Sequence, residues 1–258
     1  MNFQFSGVRF HHAAAAAAWH FLGSLIVATF AAFLVFKFWY PFPYSELSGG
    51  RELFFLIILV DIIVGPLLTF IVFDIDKKKS ELSYDLFFII LLQIGALSYG
   101  LWSVWQARPL LLVSEIDRFK VISKASLDPA VFSKIPSDML PGFFSGPVTV
   151  GIRDPVSEDE RKTVLFESAL GGRDYAERPE FFLPYDTQIA LKSLKRAKPL
   201  TVFLDKHPDQ ITAAQKLAAN NKADIAQWMY VPVIARQDWV ALLNAQGQIQ
   251  GFLKGDGF

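Results

Sequence analysis

The chain has no cysteine. That excludes thiol redox chemistry, disulfide exchange and thiolate zinc sites. It has no net formal charge, with 25 Lys and Arg against 25 Asp and Glu, so nothing in the overall balance favours nucleic acid as a partner. Beyond residue 106 there is one histidine, His207. No G-x-S-x-G, Walker A or H-E-x-x-H pattern occurs anywhere, which removes the commonest sequence signs of hydrolases, nucleotide-binding loops and zinc proteases.

What is abundant is apolar and aromatic. The 258 residues include 25 Phe and 6 Trp, and the mean hydropathy is +0.32, as expected of a chain with a membrane portion. The charges are uneven. Residues 1–106 hold 6 Lys or Arg and 7 Asp or Glu; residues 107–258 hold 19 and 18. The chain is therefore an apolar N-terminal part followed by an ordinary mixed-charge part.

Three stretches are long enough to cross the hydrocarbon core, which takes roughly 20 residues of helix. They are residues 19–36 (WHFLGSLIVATFAAFLVF), 53–73 and 86–105 (LFFIILLQIGALSYGLWSVW). Trp19, Trp39, Tyr40, Trp102 and Trp105 lie near their ends, where aromatic belts form. The first stretch is followed by KFWYPFPY rather than by a small-x-small cleavage site, so it reads as an uncleaved anchor. The tightest basic cluster beside a span is Lys77-Lys78-Lys79. The positive-inside rule places that loop, and with it the 1–18 segment, in the cytoplasm. The 37–52 loop and residues 106–258 then lie on the opposite side, which is the periplasm if the membrane is a bacterial inner membrane. The expected organisation is a cytoplasmic 1–18 segment, a 19–105 transmembrane domain and a 106–258 periplasmic domain.

The second part reads as α+β. Leu110 to Val113 has the pattern of a buried strand, 114–121 of a half-exposed one, and 148–152 of another. Asp128-Pro129 opens a short helical piece. Ser157 with Glu160 three residues on is a capping box, and Gly171-Gly172 is a helix stop. Helices are expected over 186–197 and 209–220, with a strand at 200–204 between them. A terminal antiparallel β-meander follows over 229–235, 239–244 and 248–254, its last turn at Ala245-Gln246-Gly247. The fold class is thus an α-helical membrane protein with three transmembrane helices plus a C-terminal α+β soluble domain.

Few residues suggest chemistry. His207 precedes Pro208 and fits a surface turn better than a catalytic dyad. Gly255-Asp256-Gly257 reads as a frayed tail. His11, His12 and His20 fit an interfacial segment better than a metal site, and no metal or cofactor is expected. Asp74, Asp76 and Lys77 to Lys79 read as a solvated loop at the lipid surface. The acids Asp154, Glu158, Asp159 and Glu160 fit a helix N-terminus. A membrane-anchored enzyme would need clustered acids, His or Ser in the second part. A transporter component would need polar groups in several spans. A structural subunit of a membrane complex is a further alternative.

Asp61 stands apart. It is the one charged residue in the apolar run LFFLIILVDIIVGPLLTFIVF at 53–73. A charged group at a helix centre costs roughly 3 kcal/mol on insertion scales, and such residues normally face protein or water. One account is a hydrogen bond to Gln93, Ser98 or Tyr99 on the third span, gluing the bundle. The other is a polar group on a partner helix. Gly65-Pro66 bears on both, because Pro66 removes the N–H that would bond the carbonyl of Ile62, which favours a kink and a polar groove just past Asp61.

The segments DIIVGPLLT (Asp61, Gly65, Pro66, Leu67, Leu68, Thr69), LLQIGALSYG (Leu91, Leu92, Gln93, Tyr99, Gly100) and QARPLLLVSEIDRF (Gln106 to Pro109, Asp117, Arg118, Phe119) resemble the TfpX/TfpZ family of type IV pilin accessory proteins. Gly171-Gly172 and Pro184-Tyr185 match more loosely. The resemblance implies an inner-membrane, non-enzymatic accessory protein or chaperone. Its expected partner is a type IV major pilin, which it would stabilise in the membrane and help into the pilus. A groove among the spans would receive the pilin's transmembrane helix, with Asp61, Gly65, Pro66, Gln93 and Tyr99 as candidate binding residues. The soluble domain would meet the pilin's periplasmic head.

Overall fold

The computed structural model describes residues 7–115 and 117–258. They form two compact units. Residues 7–37 pack with Gly50–Gln106, and Phe38–Gly49 packs with Ala107–Phe258.

In the first unit, α1 (Gly7–Leu34) runs into a π-helical turn (Val35–Trp39). After the short α2 (Tyr44–Leu47), which belongs to the other unit, come α3 (Gly50–Val72) and α4 (Lys79–Ala107). The stretches Gly7–Trp39, Gly50–Val72 and Lys79–Ala107 are each long and apolar enough to cross a membrane. Ser24, Ala28 and Ala31 form a buried stripe of small residues on α1. Phe54, Ile58, Asp61, Gly65 and Thr69 form the buried stripe of α3. Small residues at such positions let backbones approach closely, which is how helices gain contact in lipid. Edge-on ring pairs Phe36–Phe54 (5.0 Å), from the π-helical turn that continues α1, and Phe10–Phe70 (5.6 Å) tie this helix to α3 near both ends, so the two run antiparallel. Below them, Arg9 pairs with Asp74 at 3.4 Å, and Lys77 donates to the Val72 carbonyl and pairs with Asp85 at 2.8 Å. The 74–79 loop is thus pinned, not simply solvated.

The second unit is built on one mixed eight-stranded sheet. Its elements are β1 (Pro109–Ser114), β2 (Phe119–Ser123), α5 (Pro129–Phe132), β3 (Val148–Ile152), α6 (Glu158–Ala169), β4 (Phe182–Pro184), α7 (Thr187–Leu194), β5 (Lys198–Pro199), α8 (Leu200–Lys206), α9 (Ile211–Asn221), β6 (Met229–Ile234), β7 (Trp239–Leu243) and β8 (Ile249–Lys254). The order is β4-β3-β1-β2-β6-β7-β8, with β5 beside the start of β6. The β1–β3 and β2–β6 pairs are parallel and the rest antiparallel. Successive strand residues point to opposite faces. Leu111 and Val113 accordingly join one core while Leu112 between them joins another. Likewise Val240 and Leu242 face α8 and α9, whereas Trp239, Ala241 and Leu243 face the opposite way. Central strands β1 and β7 are buried along their whole length.

The inter-span segment Phe38–Gly49 helps build this unit. Tyr44 and fully buried Leu47 of α2 lie in the same core as Leu112, Phe119, Val231 and Trp239. The Leu47 carbonyl accepts from the Gln237 backbone N–H at 3.1 Å, and the Phe42 and Tyr44 rings meet Trp239 and Phe252 edge-on.

Local expectations mostly hold. Ser157 Oγ accepts from the Glu160 N–H at 3.1 Å and opens α6, but the other half of the expected capping box does not form, because the Glu160 carboxylate takes the Val156 N–H at 2.7 Å and pairs with Arg153. The α6 C-terminus closes with Gly171 at φ +81° and the Gly172 N–H on the Glu167 carbonyl, a Schellman ending. The three-strand meander is β6–β7–β8, and Gly247 at φ +76° makes its last turn. Three expectations fail. The 200–204 strand is the helix α8, whose Leu200, Phe203 and Leu204 are buried at helical spacing. Only Lys198 and Pro199 before it pair as strand. The half-exposed strand expected over 114–121 begins only at Phe119, because Ser114 ends β1; residue 116 of that expected strand lies outside the described residues. The C-terminus is docked, not frayed: His207 bonds the Asp256 carbonyl at 3.1 Å and stacks on Phe203 at 4.5 Å, and Gly257 is buried against Val240 and Pro232.

Candidate functional site

Along α3 the buried stripe is apolar at Phe54 and Ile58, then turns polar at Asp61 and small at Gly65. Opposite that polar stretch stands Gln93 of α4. Its Nε2 donates to the Asp61 backbone carbonyl at 3.0 Å and, less closely, to Asp61 Oδ1 at 3.4 Å. The carbonyl can only accept, so this bond fixes the orientation of the Gln93 amide. Its Oε1 therefore faces His20 Nε2 of α1 at 2.5 Å, which makes that nitrogen the proton donor. In the neutral ring His20 Nδ1 then accepts from the Thr69 hydroxyl of α3, also at 2.5 Å. Four side chains on three helices form one hydrogen-bonded chain, with Gln93 at its hub.

Gly65 makes room for it. A Cβ there would collide with the Gln93 carboxamide. Pro66 is buried beside it, and α3 remains helical through the proline. Gln93 recruits the Asp61 carbonyl, one residue before the Ile62 carbonyl that the proline deprives of its N–H partner.

Asp61 is 9% exposed, and among the described residues its carboxyl has no hydrogen-bond partner beyond the long contact from Gln93. An ionised carboxyl offers about four acceptor positions. Asp61 lines two grooves. One, of about 510 Å³, is walled by α1 and α4 and lined by Trp19, His20, Ser24, Thr69, Gln93 and Ile94, among others. The other, of about 270 Å³, lies between α3 and α4 and includes Tyr99 and Gly100. The walls of both are mainly apolar. The arrangement thus offers apolar clefts with one under-satisfied acceptor and, among the described residues, no assembled nucleophile.

Of the residues singled out in the sequence, Asp61, Gly65, Pro66 and Gln93 come together. Tyr99 does not join the hydrogen-bonded chain; it is exposed, with its ring 5.9 Å from that of Trp102. Ser98 is exposed as well. His20 and Thr69 are the members that sequence reasoning missed as parts of this site. A histidine aligned with the polar stretch of another apolar span was the available signal, but pairing residues 49 and 73 positions apart needs the fold.

Comparison with known proteins bears on the whole chain. The family model described as Fimbrial assembly protein FimB matches residues 8–49, which covers most of α1 and the segment that enters the second unit. The chain is 34% identical to the fimbrial assembly protein of serogroup I from Dichelobacter nodosus, over 97% of this chain and 98% of that one. It is 33% identical to the serogroup E1 protein of the same organism, with the same coverage. The protein of serogroups C1 and C2 is 43% identical over 46% of this chain and 91% of its own length. No solved structure matches. At this identity over nearly the full length, and with the motifs around Asp61, Gln93 and Arg118 already pointing the same way, the chain belongs to the fimbrial assembly proteins, a type IV pilus assembly family.

Proposed function

We propose that the protein is a non-enzymatic inner-membrane chaperone that holds a cognate type IV pilin in the membrane and passes it to the assembling pilus. The carrying observation is the Asp61 carboxyl, which is buried at mid-span, only partly satisfied by Gln93, and part of the wall of two apolar grooves. A cleft of that kind suits a transmembrane helix bearing a donor group at matching depth. Gly65 and Pro66 shape the α3 wall, Gln93 and His20 fix the polar floor, and Tyr99 borders the second groove. The Lys77–Lys79 cluster favours a cytoplasmic N-terminus, and three crossings then carry the sheet domain to the periplasm, beside a pilin head. Membrane lipid is the remaining partner.

The test is deletion of the gene, with the cognate pilin and an unrelated pilin quantified in the membrane fraction. Loss of the cognate pilin alone supports client stabilisation. Unchanged membrane pilin with lost surface pili moves the role to hand-off. No change in either removes the reading.

A further inference from the structure

The sequence LPGFFSG at residues 140–146 forms a loop with two adjacent exposed aromatic side chains, Phe143 at 48% and Phe144 at 66%. Such a loop would ordinarily be a solubility liability. It is also rigidly held. The buried Arg108 guanidinium donates to the Gly142 and Pro141 carbonyls at 3.2 and 3.3 Å. The Trp39 indole N–H donates to the Phe143 carbonyl at 3.1 Å. The Phe38 and Trp39 rings meet those of Phe144 and Phe143 edge-on at 5.3 and 5.5 Å. These groups lie within the sheet-bearing unit.

The holding residues share one property. Phe38 and Trp39 end the apolar stretch Gly7–Trp39, and Arg108 follows the last residue of Lys79–Ala107. The residues that directly continue two different spans therefore touch the same loop. One residue of helix is about 1.5 Å of depth, so groups that touch Trp39 and Arg108 lie at the level where the first and third spans leave the hydrocarbon. Tryptophan and its aromatic neighbours favour that level. The loop carries no charged side chain that would resist entry.

We propose that residues 140–146 are an interfacial lipid anchor, with Phe143 and Phe144 seated at the boundary between headgroups and acyl chains. The occupant of this exposed aromatic patch is lipid, because the patch is continuous with the ends of two spans. The anchor fixes the sheet domain to the membrane surface at a third place, far in sequence from the helices.

The absence of cysteine makes the test direct. Single-cysteine variants of the full chain, Phe144→Cys and Ser145→Cys, are spin-labelled in phosphatidylcholine vesicles. Ile63→Cys on the exposed face of α3 serves as hydrocarbon reference and Lys216→Cys on the exposed face of α9 as aqueous reference. Ser145→Cys keeps both phenylalanines, so it reports on the native anchor if Phe144→Cys perturbs it. Relaxation by oxygen against a water-soluble nickel chelate should place both loop labels about 5–10 Å into the headgroup and acyl boundary. Adding Phe143→Ser and Phe144→Ser to the Ser145→Cys variant should return its label to water. Loop labels as chelate-accessible as Lys216→Cys overturn the anchor. Labels that become shielded only when pilin is co-reconstituted also overturn it, and make the loop a protein contact instead.

Discussion

Replacing Gly65 by alanine tests the polar chain at its tightest point. The new methyl group occupies the space of the Gln93 carboxamide, which must swing away and give up its three contacts, two to Asp61 and one to His20. Interhelical hydrogen bonds in membrane proteins average about 0.6 kcal/mol, so their loss costs about 2 kcal/mol. Alanine in place of glycine inside a helix returns about 1 kcal/mol. The net expectation is a loss of about 1 kcal/mol, read as reversible unfolding of the full chain in mixed micelles followed by circular dichroism. In a Gln93→Ala background the obstacle is gone and only the helix preference remains. There Gly65→Ala should stabilise by about 1 kcal/mol, so the two changes couple by about 2 kcal/mol. If Gly65→Ala has the same effect in both backgrounds, the glycine does not serve Gln93 and the reasoning is refuted.

Other outcomes follow from the same structure. Leu47→Ala, although it lies between two spans, should destabilise the sheet domain by about 2–5 kcal/mol, as a core truncation does; limited proteolysis of residues 107–258 would show it, and unchanged resistance would exclude α2 from the core. Arg153 grips Glu160 at 2.8 Å and, with the Val156 N–H, holds its carboxyl down at about 2 against an ordinary 4.5. A depressed carboxyl stabilises the fold above its unfolded value and loses that contribution as acid reaches the folded one, so stability from this pair should fall between pH 4.5 and about 2. Glu160→Gln should flatten the acid unfolding curve within that window and nowhere else. Under the proposed function, Asp61→Leu should lower cognate pilin in the membrane fraction, whereas Asp61→Asn keeps it if hydrogen bonding rather than charge is what the pilin meets; normal pilin levels with both variants would exclude the carboxyl from that role.

The sequence made the spans legible because the requirement there is simple: length and continuous apolarity. Caps were legible for a similar reason, since Ser157 and Gly171 act on backbone within a few residues. Leu200 to Leu204 was not. A five-residue apolar run suits strand and helix alike, and what decided it was burial of Leu200, Phe203 and Leu204 against Trp228 and Tyr230 of the β6 region. The candidate site was half legible. Asp61 and Gln93 announced themselves as polar groups in apolar runs. His20 stood beside His11 and His12 and read as part of an interfacial group, yet it alone of the three meets Gln93. Nor did the 37–52 loop announce itself as part of a folded domain, because its aromatic residues also suit a membrane boundary. Only the sheet shows where Tyr44 and Leu47 go.

The sheet domain is completed by two pieces of chain, one made before α3 and α4 and one after them. They can meet only if both are delivered to the same side of the bilayer. Two crossings, α3 and α4, separate them and return the chain to the side it left, whereas a chain in which one of the two fails to cross strands α2 on the wrong side and leaves the Leu112, Phe119 and Trp239 core uncovered. Closure of the core thus depends on threading: a chain in which both α3 and α4 cross can bury Tyr44 and Leu47, and a chain in which one fails leaves their places in the core empty.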